Sequence, residues 1–208
     1  ATKAGIKPIF GSQIWLHNDD DPSQPYSLIL LCQNKQGYLN LSKLISRAYI
    51  EGQAHGKAQV QTTWLTELNS DLIALSGAME GDIGHAIVAG QMDKAEQLLQ
   101  DWRACFPERF YLELQRTGKR NEATYIRGAV QLAKQTQTPV VATNGVCFLS
   151  EDDFDAHEIR VCIDQGRVIQ DKDRPKSHTQ EQYFKTAVQM HQLFSNAKTA
   201  IANTNILA

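Results

Sequence analysis

Several features are scarce or missing in this 208-residue sequence, and each absence excludes a class of function. The chain has 21 lysines and arginines against 23 aspartates and glutamates, a net charge of −2, so it has no basic field to hold nucleic acid by counterion release. No apolar run reaches the ~20 residues that span a bilayer. We therefore expect a soluble, cytoplasmic chain that contacts no membrane. The four cysteines form no Cys-x-x-Cys pair and predict reduced thiols rather than a disulfide or zinc framework: Cys32, Cys105, Cys147 and Cys162.

Apolar residues make up 42% of the chain, which is enough for one well-packed domain. Helical spacing predicts several amphipathic helices, with capping boxes at Asp93 and Thr179, the second of which opens a helix through residue 194. Residues 51–61 predict a flexible polar loop. Strands alternating with helices favour an α/β fold with a mostly parallel sheet. Short apolar runs predict five strands, at residues 6–16, 27–32, 72–75, 110–114 and 140–143.

Both ends of the sequence look interrupted. The chain begins without methionine, and residues 1–8 predict the last turn of a helix, a glycine cap at Gly5 and the start of a strand. Residues 203–208 stop within or just after a helical pattern. We expect elements before residue 1 to be missing, which would expose a sheet edge and favour a dimer or a loosened fold.

The loop after the strand predicted at residues 140–143 lies where α/β enzymes carry their chemistry. Neither a carboxylate nor a histidine follows this strand directly; Asn144, Gly145 and Cys147 stand there instead. His157 lies about one turn into the next predicted helix and is the nearest candidate, although a packed, hydrogen-bonded helix histidine is the favoured interpretation. The other histidines considered form no His-x-His or His-x-x-x-His pair: His17, His85, His178 and His191.

Motifs along nearly the whole chain resemble, in order, the PHP (polymerase and histidinol phosphatase) domain of bacterial replicative DNA polymerase III alpha subunits. The motifs are Ala-Gly-Ile-Lys-Pro-Ile at 4–9, Gly-Tyr-Leu-Asn-Leu at 37–41, Leu-Ile-Ser-Arg-Ala-Tyr at 44–49, Leu-Ser-Gly at 75–77, Phe-Tyr-Leu-Glu-Leu at 110–114 and Val-Val-Ala-Thr-Asn at 140–144. Phe-Asp-Ala-His-Glu-Ile-Arg-Val at 154–161 and Ala-Asn-Thr at 202–204 resemble the proteobacterial branch in particular. The resemblance implies a distorted seven-stranded (β/α) barrel that lacks its first strands. It implies a single domain over residues 1–208, whose end could include the start of a linker to the polymerase palm.

Metal-dependent PHP domains hold metal ions with histidines and carboxylates, and the ions lower the pKa of a bound water. Hard divalent cations need negatively charged oxygens. The resemblance therefore implies no catalytic residue, no metal ligand and no bound zinc or manganese in this segment, with His157 as the one weak residual candidate. The matching positions carry Gln13 for a glutamate, Ala78 for a cysteine, Thr117 for a histidine, and Gly145 and Cys147 for the aspartate and histidine of Asn-Asp-Val-His.

The resemblance leaves two functions open. In the first, the chain is a non-catalytic structural and docking module for the proofreading exonuclease (epsilon) subunit, among the other polymerase III holoenzyme subunits. DNA, dNTPs and Mg²⁺ would then engage the palm of the parent chain. In the second, it is a metal-dependent phosphoesterase or exonuclease whose remaining ligands precede residue 1, which would require Cys147 and His157 as ligands. We favour the first, because five ligand positions are lost, and the interrupted ends disfavour a free-standing binding module.

Overall fold

The computed structural model describes residues 2–208 and shows a mixed sheet covered by helices. The strands are β1 (Gly11–Leu16), β2 (Tyr26–Cys32), β3 (Gln53–Ala54), β4 (Lys57–Val60), β5 (Leu72–Leu75), β6 (Phe110–Gln115) and β7 (Val140–Thr143). The helices are α1 (Lys35–Glu51), α2 (Thr62–Leu68), α3 (Asp82–Val88), α4 (Met92–Cys105), α5 (Glu122–Thr136), α6 (Phe154–Asp164), α7 (Ala187–Leu193) and α8 (Lys198–Leu207). Across residues 2–208, no helix is long and apolar enough to cross a membrane.

The sheet is open, with the strand order β3-β4-β1-β2-β5-β6-β7. Three neighbouring pairs are parallel, namely β1 with β4, β5 with β6, and β6 with β7. The other three pairs are antiparallel, namely β1 with β2, β2 with β5, and β3 with β4. The α/β class is confirmed, and a seven-stranded sheet of this kind is consistent with a PHP barrel that is not closed. The expectation of a mostly parallel sheet is wrong.

The short apolar runs in the sequence correctly predict the bounds of several strands. β5 and β7 have the predicted bounds, and β2 differs from its prediction by one residue. Asn34 starts α1, because its side-chain oxygen accepts hydrogen bonds from the backbone N–H groups of Gln36 (2.8 Å) and Gly37 (3.1 Å). The predicted glycine cap is also present, since Gly5 has φ +73° after a 3-10 turn at Thr2–Ala4; Ala1 lies outside the described residues. β1, in contrast, begins at Gly11 rather than at residue 6.

Residues 51–61 are not the flexible loop that their polarity predicts. They form the β3–β4 hairpin, turned by His55 (φ +49°) and Gly56 (φ +75°), which is the positive-φ pair that a tight two-residue turn requires. Gln59 is fully buried in β4, and its side-chain amide donates to the Pro22 carbonyl at 2.8 Å. The hairpin adds the two strands that raise the predicted count of five to seven.

The single helix predicted from Thr179 to residue 194 is also wrong. The predicted capping box at Thr179 exists, but it opens only a 3-10 turn, Gln180–Gln182. The chain then extends and Tyr183 forms a β-bridge with Phe148, before a second capping box at Thr186 starts α7. A smaller correction concerns α4: it begins at Met92, so Asp93 lies within the first turn rather than at the cap.

The edge of β7 is covered by α8. The Asn203 side-chain amide donates to the Val140 carbonyl at 2.8 Å. The Thr204 hydroxyl oxygen accepts from the Ala142 N–H at 3.2 Å and lies 3.0 Å from the Ala142 carbonyl. These side chains satisfy the backbone groups that would otherwise pair with another strand. The opposite edge is β3, only two residues long. Dimerisation through a sheet edge stays an untested prediction.

Candidate functional site

An open cavity of about 1170 Å³ lies where β5, β6 and β7 end. Gly77 follows β5, Gln115 ends β6, and Thr143 ends β7, and all three line the cavity. The carboxyl ends of parallel strands meet at one edge of a sheet, which is where α/β proteins build their sites. Trp15 of β1 and Ile29 of β2 also line the cavity.

Glu113 lies at the floor of the cavity, and the sequence does not mark it as a site residue. It is 1% exposed. One carboxylate oxygen accepts hydrogen bonds from the Thr143 hydroxyl and from the Gln115 amide (3.0 Å). The other oxygen has no partner among the described residues. The available signal was a glutamate inside an otherwise apolar strand, since β6 reads Phe-Tyr-Leu-Glu-Leu-Gln.

A cluster of Cys147, His157 and His178 lies at one side of the cavity. One donor atom from each residue lies within 4.8 Å of the other two. The rings of His157 and His178 meet edge to face, with centroids 4.5 Å apart. The sequence does not mark His178 as a candidate, because it forms no His-x-His or His-x-x-x-His pair. A buried ion pair between Glu158 of α6 and Arg174 secures the loop that carries it.

A family model described as PHP domain matches residues 1–117, which is more than half of the chain. The chain belongs to the PHP domain family.

The relatives of this PHP domain are much longer proteins. It is 49% identical over 205 residues to a protein named DNA polymerase III subunit alpha from Pseudomonas fluorescens, and the match covers 98% of this chain but 17% of that protein. The protein of the same name from Pseudomonas aeruginosa is 46% identical over 204 residues, again 98% and 17% of the two chains. The one from Escherichia coli K12 is 40% identical over 201 residues, 97% and 17%. The chain therefore spans about one-sixth of these relatives.

The structure brings only some of the predicted site positions of the PHP domain together. Gln13, Gly145 and Cys147 line the cavity. The Gln13 amide donates to the Ser27 hydroxyl at 2.9 Å, so it ties β1 to β2. The other three are buried outside the lining: Ala78, Thr117 and His157.

Burial sets the charge state of the cysteine–histidine cluster. It raises the pKa of the Cys147 thiol, against the opposing influence of Lys119 and Arg160. It lowers the pKa of His157 and His178, and the positive charge of Arg160 lowers both further. Burial thus favours the neutral thiol and the neutral form of both imidazoles.

Replacing Glu113 by glutamine should change how stability depends on pH. Burial raises the pKa of Glu113, against the hydrogen bonds from Thr143 and Gln115. Above the ordinary carboxyl pKa of about 4.3, the unfolded chain releases a proton that the folded chain retains. Stability therefore falls as pH rises toward the folded pKa, by about 1.4 kcal/mol per unit of pKa shift. Glu113→Gln has no such loss, so its stability relative to wild type should rise between pH 5 and pH 8 in urea unfolding.

The exposed Glu96 of α4 offers a matched control, since Glu96→Gln makes the same chemical change outside the core. We expect its pH dependence to follow wild type. Equal pH dependence for wild type and Glu113→Gln would contradict the prediction, because it would mean that the buried carboxyl ionises as readily as in the unfolded chain.

Proposed function

We propose that this PHP domain is a non-catalytic structural and docking module of a replicative DNA polymerase III alpha subunit. The observation that carries the proposal is the poor set of oxygen donors in the cavity. Among the described residues that line it, the carboxylates are those of Glu80 and Glu113. Glu80 pairs with the Lys119 ammonium at 2.9 Å, and Glu113 is buried and hydrogen-bonded. A pair of hard metal ions that activates water and clamps a phosphate needs more negative oxygens than these.

The parent chain would supply the chemistry under this proposal. The relatives named DNA polymerase III subunit alpha are about six times longer than this chain, so most of each lies outside the matched segment. The parent chain would synthesise DNA from dNTPs with Mg²⁺ in its palm, in the cytoplasm. The segment described here would bind the proofreading exonuclease (epsilon) subunit and contact other subunits of the holoenzyme.

An exposed apolar face on α6 supports a docking role. His157 and Cys162 of α6 are buried, whereas Ile159 and Ile163 lie one turn apart on the outer side and are 50% and 75% exposed. Val168 follows the helix and is also exposed. Grouped apolar side chains of this kind mark interaction surfaces more often than isolated ones do. We assign the exonuclease subunit to this face.

Binding of purified exonuclease subunit tests the proposal. The double variant Ile159→Glu/Ile163→Glu places two carboxylates in the proposed interface, which would have to desolvate them. We expect it to raise the dissociation constant at least tenfold by titration calorimetry. Ile50→Glu on α1 changes an equally exposed isoleucine, at 80% exposure, far from α6 in sequence. It should leave the dissociation constant unchanged.

Three outcomes would count against the proposal. An exonuclease subunit that does not bind the wild-type protein would remove the docking role. Equal weakening by Ile50→Glu would remove the assignment to α6. Manganese-dependent hydrolysis of a phosphodiester by the wild-type protein, lost in Glu113→Gln, would instead support the phosphoesterase.

A further inference from the structure

A groove of about 720 Å³ lies between α5 and α8, beside β6 and β7. This α5–α8 groove shares no lining residue with the cavity at the strand ends. Among the residues that the structure describes, the one aromatic side chain in its lining is Phe194, which is 1% exposed. The groove is otherwise largely aliphatic, through Leu114, Ile126, Val130, Val140, Ala197 and Ala200.

The α5–α8 groove is also positively charged, although the whole chain has a net charge of −2. Across residues 2–208, no carboxylate lines it, whereas three cationic side chains do: Arg116, Arg127 and Lys134. None of these three forms a salt bridge with a described residue. The Arg116 guanidinium is fixed at one end of the groove, because it donates to the Leu193 carbonyl and to Asn196 Oδ1, both at 2.8 Å. An apolar groove with unpaired cations complements a ligand that is both apolar and anionic.

The spacing of the cations indicates the class of that ligand. Arg127 and Lys134 are exposed and lie seven residues, or two turns, apart on α5, which is about 10 Å along the helix axis. A single anionic head group is too small to reach both side chains. Two carboxylates that lie two turns apart on another helix have the required separation. A single-stranded nucleic acid fits less well, because its bases stack on exposed aromatic side chains, and the described lining has none.

We propose that the α5–α8 groove binds an acidic amphipathic helix of a partner protein. Its apolar stripe packs against Ile126, Val130 and Val140, which are half-buried in the free groove. Its carboxylates, spaced by two turns, pair with Arg127 and Lys134. This is the helix-in-groove mode of recognition, in which apolar anchors recur at helical spacing. The surface is separate from the face assigned to the exonuclease subunit, because α6 contributes no lining residue.

A fluorescein-labelled helical peptide is the probe, with leucines along one face and glutamates seven residues apart beside them. Wild-type protein should bind this acidic peptide one to one by fluorescence anisotropy, and more weakly as salt screens the charges. The double variant Arg127→Glu/Lys134→Glu should weaken binding at least tenfold. A matching peptide with lysines in place of the glutamates should show the reverse preference, and bind the double variant at least tenfold more tightly than wild type. An acidic peptide with serines in place of the leucines should bind neither protein.

The double variant Lys35→Glu/Lys43→Glu is the matched control. Both lysines are exposed on α1, and their replacement changes the net charge by the same amount. Because α1 packs against β1, β2 and β4, this variant should bind the acidic peptide as wild type does. In nuclear magnetic resonance spectra of wild type, the shifts caused by the peptide should be confined to α5, α8 and the adjoining ends of β6 and β7.

Four results would overturn the proposal. They are the lack of saturable binding of the acidic peptide to wild type, equal weakening by the α1 variant, peptide-induced shifts centred on another surface, and a lysine peptide that does not prefer the reversed variant. A labelled oligothymidylate that binds wild type more tightly than the acidic peptide would instead indicate a nucleic-acid site, and would also overturn it. Far-ultraviolet circular dichroism shows whether each variant folds. If Arg127→Glu/Lys134→Glu does not fold, Lys134→Glu alone decides, and acidic-peptide affinity equal to that of wild type would overturn the proposal.

Discussion

Gly77→Ala should destabilise the protein by about 2–5 kcal/mol, although it adds a single methyl group. Gly77 follows β5 in the Leu-Ser-Gly motif and has φ +72°, a conformation that costs an L-residue about 1–2 kcal/mol. A Cβ atom there would also lie 2.2 Å from the Ser27 carbonyl oxygen. Backbone cannot move aside as a side chain can, and overpacking of this kind costs about 1–3 kcal/mol more. Urea unfolding of wild type and variant measures the sum.

Gly118→Ala separates the two contributions. Gly118 has nearly the same φ, +73°, but a Cβ atom there has no neighbour within 4 Å. It should therefore show only the cost of backbone strain, about 1 kcal/mol after the gain from a less flexible unfolded chain. If the two alanine variants lose the same stability, the close approach of Gly77 to β2 contributes nothing and the prediction is wrong.

The same contacts give the Leu-Ser-Gly motif a physical meaning. The Ser76 hydroxyl accepts a hydrogen bond from the Glu113 N–H at 3.0 Å in the buried interior, and Gly77 lets the chain turn against β2. The motif therefore joins β5 to β6 and β2 at the cavity rim. The sequence alone shows these residues only as a mark of family resemblance, because their partners lie 37 and about 50 positions away.

Strands buried by apolar side chains were predictable, and strands held by polar ones were not. The run at 140–143 is short, apolar and bounded by Pro139 and Asn144, and the structure places β7 there. β4 instead carries Gln59, whose amide replaces an apolar contact with hydrogen bonds to the Pro22 and Ala54 carbonyls. A search for regularly spaced apolar residues therefore does not detect β4. A tight turn at His55 and Gly56 was the one local signal.

The sequence predicts the position of one part of the site, the loop after β7, but it does not predict Glu113 or His178. The loop after β7 could be located, because chemistry collects at strand ends. Glu113 was hidden inside a strand, and His178 stands 31 positions after Cys147 with no motif between them. Only the three-dimensional path brings His178 over α6, where the Glu158–Arg174 ion pair holds its loop. Spacing in the sequence identifies residues that act together only when they lie on one helix or one turn. Cys147, His157 and His178 lie on three separate segments.

Substitution of Tyr125 should give the second large loss of stability. Two variants at this position separate the contribution of packing from that of hydrogen bonding. The side chain lies under the cavity floor in α5 and is 1% exposed. Its hydroxyl donates to the Glu113 carbonyl at 2.6 Å. Tyr125→Phe leaves that buried carbonyl without its partner and should cost about 1–3 kcal/mol. Tyr125→Ala also empties the space of the ring and should cost about 3–5 kcal/mol.

Tyr49 provides the control for both substitutions, since it lies on α1 and is 65% exposed. Tyr49→Phe and Tyr49→Ala should change the free energy of unfolding by no more than about 0.5 kcal/mol. If Tyr125→Phe is as stable as wild type, the hydroxyl contributes no net hydrogen-bond energy, and the link from α5 to β6 is packing alone. In that case Tyr125→Ala should still lose several kcal/mol. A small loss in both variants would mean that the layer beneath Glu113 is loosely packed, and the floor of the cavity could not hold the Glu113 carboxylate in its buried position.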